Sequence, residues 1–292
     1  MDPRLTVSIP VGGVDVQEFL ECVLSLQEQD VNKPFLVTFY DDANDDPELV
    51  ELLDQLNTKN EYTVIRGQEH VGVSEARNIL LQRCTTEFCL FFDADDILLP
   101  NAIRTFLDHS SEADVLQCDY KFIDHPYSYS WSDYDIKKLR SRFFSNCRKF
   151  DFGAGHLFFR TEALKGKLTF DTNLKVAEDY VFMADILLGN NNITYKKLDA
   201  LLWHYRNEHP TRTKSGLPSP MKSPEAKDSE VAARGIVCRN YLNLDLSTKT
   251  LRHMVWPNPV TDFEVVKELK EFFKVIKNDD RFDYQFLRDN FR

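Results

Sequence analysis

Four short apolar runs punctuate the first hundred residues: Leu5-Thr6-Val7-Ser8-Ile9-Pro10, Phe35-Leu36-Val37-Thr38-Phe39-Tyr40, Tyr62-Thr63-Val64-Ile65 and Phe88-Cys89-Leu90-Phe91-Phe92. Between them lie stretches with helical spacing, over 14–29 (Val16, Phe19, Leu20, Val23, Leu24, Leu26), 48–56 and 73–83, the last with Ser74 as its expected cap. Strands that alternate with helices specify parallel pairing through right-handed crossovers, hence an α/β sheet flanked by helices. The pattern continues through a helix over 100–109 and a strand over 114–120, then loosens beyond about residue 123.

The fourth run is apolar without alternation, as expected of a strand covered on both faces, and it ends abruptly in Asp93-Ala94-Asp95-Asp96. Ligands of open α/β sheets sit at such carboxyl ends. If extended geometry persists, Asp93 and Asp95 point the same way and their oxygens converge on one hard cation, Mg²⁺ or Mn²⁺. The alternative is a solvated acidic loop. The second run also ends in acids, Asp41-Asp42-Ala43-Asn44-Asp45-Asp46.

The 292 residues carry a formal net charge of −11, which argues against a general nucleic-acid binder. Six scattered cysteines, with no Cys-x-x-Cys pair, read as reduced core residues. The start, Met1-Asp2-Pro3-Arg4-Leu5, offers no basic segment followed by an apolar core, and no run approaches a membrane span, so a cytoplasmic chain is expected. Segment 126–152 is aromatic-rich without a clean period. Gly155-His156 precedes a strand near 157–160, and His156 is either a pocket residue or a plain loop histidine. A helix is expected from 176 to about 188. Glu178 and Asp179 at its start have an ordinary explanation in the helix dipole, so pattern alone leaves a catalytic role open. Segments 193–195 and 201–206 read as two strands. Residues 207–223, with Arg206, Arg212, Lys214 and Lys222, suit either a loop that folds over phosphates or a linker. Helices over 229–241 and 263–276 then end the chain.

In order and spacing these pieces resemble the family 2 inverting glycosyltransferases of GT-A fold, over about the first 215 residues. Val7-Ser8-Ile9-Pro10 looks like that family's opening strand, and Tyr40-Asp41-Asp42-Ala43-Asn44-Asp45-Asp46 is similar to its nucleotide turn. His70-Val71-Gly72-Val73-Ser74-Glu75-Ala76-Arg77-Asn78 resembles its Ala-Arg-Asn segment, Phe92-Asp93-Ala94-Asp95-Asp96 its metal motif, and Glu178-Asp179-Tyr180 its Glu-Asp signature. Departures are Ala43-Asn44 for Gly-Ser, His70 for asparagine, and Val11-Gly12-Gly13 after the first strand.

The resemblance implies a GT-A, Rossmann-like, mixed and mostly parallel sheet over 1–215, with a lid or linker and a small helical appendage over 216–292. It also implies transfer of a sugar from a nucleotide-sugar donor, a UDP-sugar favoured, to a hydroxyl of a glycan, glycolipid or protein acceptor. A peripheral membrane contact is compatible with it. By this carry-over Pro10, Val11, Asp41, Asp42, Arg77, Asp93 and Ala94 bind nucleotide. Asp95 and Asp93 hold Mn²⁺ or Mg²⁺, with His204 either a further ligand or a structural histidine. Arg206, Arg212 and Lys214 meet phosphate, Gly155, His156 and Glu178 line the acceptor region, and Asp179 is the base. A degenerate, non-catalytic binding module is one rival. A haloacid-dehalogenase-type phosphatase is another, although there the motif lies nearer the start and Thr or Val stands where this chain has Ile97.

Overall fold

The computed structural model describes residues 2–31, 34–123, 128–129, 135–145, 157–189, 192–206, 224–255 and 262–291. In chain order the elements begin β1 (Leu5–Val11), α1 (Val16–Gln27), β2 (Leu36–Asp41), α2 (Pro47–Leu56), β3 (Tyr62–Arg66), α3 (Val73–Arg83), β4 (Phe88–Phe91) and β5 (Ile97–Leu98). There follow α4 (Ala102–Asp108), β6 (Val115–Phe122), β7 (Ser128–Tyr129), α5 (Ile136–Ser145), β8 (Phe158–Arg160), α6 (Thr161–Leu164), α7 (Glu178–Leu188) and β9 (Tyr195–Tyr205). Helices α8 (Pro224–Leu242), α9 (Thr248–Val255), α10 (Phe263–Lys277) and α11 (Tyr284–Asn290) close the chain. Two compact units result: Met1–Ser132, Ala154–Thr172 and Ile193–Lys214 form the first, and Asp133–Gly153, Asn173–Asn192 and Ser215–Arg292 the second. The division is interleaved, so α5 and α7 belong with the C-terminal helices.

The first unit carries the sheet, in the order β3-β2-β1-β4-β8-β6-β9-β5, with β7 on β6. β3, β2, β1 and β4 are mutually parallel, as are β6 and β9, while β8 runs antiparallel to β4 and β6. The α/β expectation therefore holds, with a mixed sheet and C-terminal helices. All seven residues of β1 are buried, as befits a central strand. Asp15 and Asp46 cap α1 and α2 by accepting from the amides two and three residues on, and Pro47 opens α2 where its missing N–H costs nothing. Phe158 stacks between Phe88 and Phe106, at 5.0 and 5.2 Å between ring centroids, and each buried ring contributes about 1.5–3 kcal/mol.

Three local expectations are corrected. Ser74 does not cap α3; Gly72 does, at φ 85°, and Ser74 lies buried inside the helix. The two strands expected between 193 and 206 are one strand, β9, because register shifts opposite Gln117, Asp119 and Tyr120 absorb the polar interruption at Asp199. Extended geometry does not persist past β4: Asp96 N–H returns to the Asp93 carbonyl at 3.3 Å, so the acids sit on a turn and the same-face argument for Asp93 and Asp95 does not apply.

In the second unit Phe144 packs edge-on or tilted against Phe272 and Phe282, and Arg281 ties the ends of α7 and α8 by donating to the Leu188 and Tyr241 carbonyls at 3.2 and 2.8 Å. Cys22, Cys84, Cys89, Cys118 and Cys238 are buried, as expected of core residues. Among the described residues no helix is long and apolar enough to cross a membrane.

Candidate functional site

The strand order reverses between β1 and β4, the place where a crevice opens at the carboxyl ends of an open α/β sheet. On one side stands the Asp41-Asp42 turn. Asp41 is nearly buried and accepts from the Asn44 amide nitrogen at 3.0 Å, from Asn44 Nδ2 at 2.5 Å and from Arg66 Nη1 at 2.5 Å. Asn44 in turn donates to the Val11 carbonyl at 2.8 Å and accepts the Gly13 amide at 2.9 Å, which knots the loops after β1 and β2 together. Asp42, equally buried, accepts the Val71 and Gly72 amides at 2.7 and 2.9 Å, and His70 Nδ1 lies 2.9 Å from its Oδ2. Gly67 must be glycine, since a Cβ there would stand 2.8 Å from the Asp41 carbonyl oxygen. Pro10 and Val11, at the end of β1, are register partners of Tyr40 and Asp41, so the fold brings Pro10, Val11 and Asp41 together.

On the other side is the acid turn. Arg77, projecting from α3, donates to Asp93 Oδ1 at 2.8 Å with its guanidinium over the Phe170 ring. Asp96 is fully buried and accepts Trp203 Nε1–H at 3.0 Å and the Arg206 amide at 2.8 Å. Burial, and next the Asp93 charge, push the Asp96 carboxyl well above the usual carboxylate range. Arg206 Nε donates to the Asp95 carbonyl at 2.8 Å and Nη2 to Glu21 at 2.5 Å, with Glu18 3.6 Å from Nε. Arg206 thus braces the acid turn against α1. Ala94 is buried within this turn, and Asp95 is half-buried.

His204 is the register partner of Ile97, two residues past Asp95, and burial, followed by the Lys121 charge, lowers its pKa, which favours the neutral imidazole a metal needs. Among the described residues no group of three or more His, Cys, Asp or Glu is arranged to hold a metal alone. That donor set still fits Mg²⁺ or Mn²⁺, which are commonly held by one or two carboxylates with substrate phosphates and water filling the other positions.

Glu178 and Asp179 open α7 in the second unit. Ala177 occupies the cap position at φ 63°, ψ 21°, without a side-chain cap, and Asp179 Oδ1 accepts the Tyr180 amide at 2.7 Å. Glu178 is nearly buried and Asp179 half-exposed. Gly155, His156, Arg212 and Lys214 lie outside the described residues. The sequence reading missed Asn44, Arg66, Asp96 and Trp203. For Asp96 the signal was there, a third acid after a buried strand; for the others no spacing marks them.

Residues 7–166, just over half of the chain, match the profile of the family described as Glycosyl transferase family 2. Over 200 residues the chain is 27% identical to the poly(ribitol-phosphate) beta-glucosyltransferase of Bacillus spizizenii, a match that takes in 65% of this chain but only 30% of that protein's length. Crystal structures of S. aureus TarS residues 1–349, in complex with UDP and with UDP-GlcNAc, superpose with TM-scores of 0.63 and 0.64 at 20% identity. They cover 94% and 93% of this chain, and 79% and 81% of theirs. The likeness shows the expected fold. With the family profile matched over more than half of the chain and spanning both acidic turns, the chain belongs to glycosyl transferase family 2.

Proposed function

We propose that the chain moves a sugar from a nucleotide-sugar donor, a UDP-sugar, to an acceptor hydroxyl with inversion at the anomeric carbon. The observation that carries this reading is the pair of acidic turns flanking β1 where the sheet order reverses, Asp41-Asp42 after β2 and Asp93 to Asp96 after β4. TarS, crystallised with UDP and UDP-GlcNAc, and the Bacillus relative, named for glucosyl transfer to poly(ribitol phosphate), support the donor class.

In this reading Pro10, Val11 and the loop knotted by Asn44 line the nucleoside. A carboxylate offers about four acceptor sites. Asp42, with three protein contacts, therefore keeps capacity for a ribose hydroxyl or a base N–H. Arg77 aims Asp93. Asp95, with Asp93 direct or through water and His204 as a further ligand, would hold Mn²⁺ or Mg²⁺, which neutralises charge on a departing diphosphate. Arg206 holds the Asp95 main chain, and Arg212 and Lys214 supply further positive charge to phosphate. Asp179 takes the proton of the attacking hydroxyl, with Glu178, Gly155 and His156 in the acceptor region. The acceptor is a glycan, glycolipid or protein.

The test is a thermal-shift screen of nucleotide sugars with Mn²⁺ or with chelator, followed by transfer assays on Asp179→Asn. Ligand at about 100 times its Kd stabilises the fold by about 2.7 kcal/mol. A metal-dependent shift with a UDP-sugar, and an Asp179→Asn protein that keeps the shift but loses transfer, is the expected result. Transfer at the wild-type rate by Asp179→Asn overturns the base assignment, and the absence of a shift or transfer with any donor overturns the function.

A further inference from the structure

The C-terminal helices have no part in the roles assigned so far, yet the Glu178-Asp179 turn is embedded among them. Ser229, on α8, grips the residue before that turn twice: its Oγ donates to the Val176 carbonyl at 2.8 Å and accepts the Val176 amide at 3.3 Å. Arg234, also on α8 and fully buried, lies with its guanidinium 5.5 Å from the centre of the Tyr180 ring, and donates from Nη1 to the Phe144 carbonyl at 3.0 Å. Two points on one rigid helix therefore hold the chain on either side of Glu178-Asp179. Between them, Ala177 sits in the left-handed region at φ 63°, which an L residue adopts only when its surroundings over-determine it. Glycine would take that conformation without strain.

We propose that α8 is the positioning element for Asp179, with Ser229 and Arg234 as its positioning residues and the left-handed Ala177 as the rigid corner they hold. The inference rests on Asp179 being the base. An aspartate aimed by its own helix cap would be free to fray with the first turn of α7. Here the cap position has no side-chain bond to offer, and the corner is fixed from α8 instead. Rigid supporting contacts of this kind hold a reacting group within the few tenths of an ångström that proton transfer requires. The 216–292 region, expected to be an appendage, becomes on this account part of the catalytic machinery.

The experiment uses the full chain and a UDP-sugar transfer assay, with urea unfolding and UDP titration run in parallel. Ala177→Gly should unfold at the same or higher urea than wild type while kcat falls about tenfold to a hundredfold with the donor KM unchanged. Ser229→Ala should lower kcat in the same range without changing UDP affinity, and Ser229→Thr, which restores the hydroxyl, should recover most of it. An Ala177→Gly or Ser229→Ala protein with wild-type kcat overturns the proposal, as does a loss in Ser229→Ala that Ser229→Thr leaves uncorrected. Asp179→Asn is the control: retained transfer there refutes the base assignment itself, whereas a dead Asp179→Asn beside fully active Ala177→Gly and Ser229→Ala refutes only the positioning role of α8.

Discussion

Asp96 is the residue whose replacement should reveal most about how the acid turn is held. Its carboxylate is fully buried and accepts two N–H groups, Trp203 Nε1 at 3.0 Å and the Arg206 amide at 2.8 Å. Leaving a buried donor unpaired costs about 1–3 kcal/mol, so Asp96→Ala, which orphans both, should lose about 4 kcal/mol. Asp96→Asn keeps the shape but turns an NH₂ toward one donor. Its loss should be about 2 kcal/mol, the midpoint for one orphaned donor. Both values are large against the 5–15 kcal/mol typical of a fold, but about half or less of most of that range, so both proteins should be obtainable. Urea unfolding followed by far-ultraviolet circular dichroism measures them. The sharper assay is a double-mutant cycle with Trp203→Phe, which keeps an aromatic ring against Phe92 and deletes only the N–H donor. Two residues joined by a buried hydrogen bond predict a coupling of about 0.5–3 kcal/mol between the two sites. Additivity within about 0.5 kcal/mol would refute the claim that this bond holds the turn. Nucleotide-sugar affinity should fall in the Asp96 variants, because Asp96 holds the Arg206 amide and Arg206 in turn holds the Asp95 carbonyl.

Two further outcomes follow from the geometry. Burial and Lys121 depress the His204 pKa below 6.5, so the folded state binds fewer protons than the unfolded chain in the window beneath that value. The contribution of His204 is then fully present above pH 6.5 and is lost as pH falls through the folded value. The stability difference between wild type and His204→Gln should therefore shrink on acidification from about pH 7 to about pH 5, and a constant difference across that range would contradict the burial argument. Gly67→Ala would place a Cβ 2.8 Å from the Asp41 carbonyl and 2.9 Å from the Tyr40 hydroxyl. It should cost about 1–3 kcal/mol of stability by overpacking, together with nucleotide affinity; wild-type urea midpoint and UDP binding would show that the turn yields at no cost.

What the amino-acid sequence determined by itself is everything set by short-range periodicity and stereochemistry. The buried runs at Leu5–Val11, Leu36–Asp41, Tyr62–Arg66 and Phe88–Phe91 could hardly be other than strands, and the helices between them required parallel pairing. The acids at the carboxyl ends of two of them, and hence the region of the candidate site, were legible for the same reason. Hydrogen-bond partners were not, because they depend on how distant segments meet: Asp96 is bound by Trp203, 107 residues away, and Arg206 by Glu21, 185 away. Arg206, expected from the resemblance to meet phosphate, is seen only in the fold to brace the acid turn against α1. Asp93 and Asp95 were aligned on a strand by sequence periodicity, but the backbone turns after Phe92 and only tertiary contacts orient them. The Glu178-Asp179 helix reads locally as an ordinary acidic helix start. Its assignment to the unit of α8, with Ser229 and Arg234 fixing a strained alanine, is decided by packing alone, since nothing in a local pattern records which helix lies alongside.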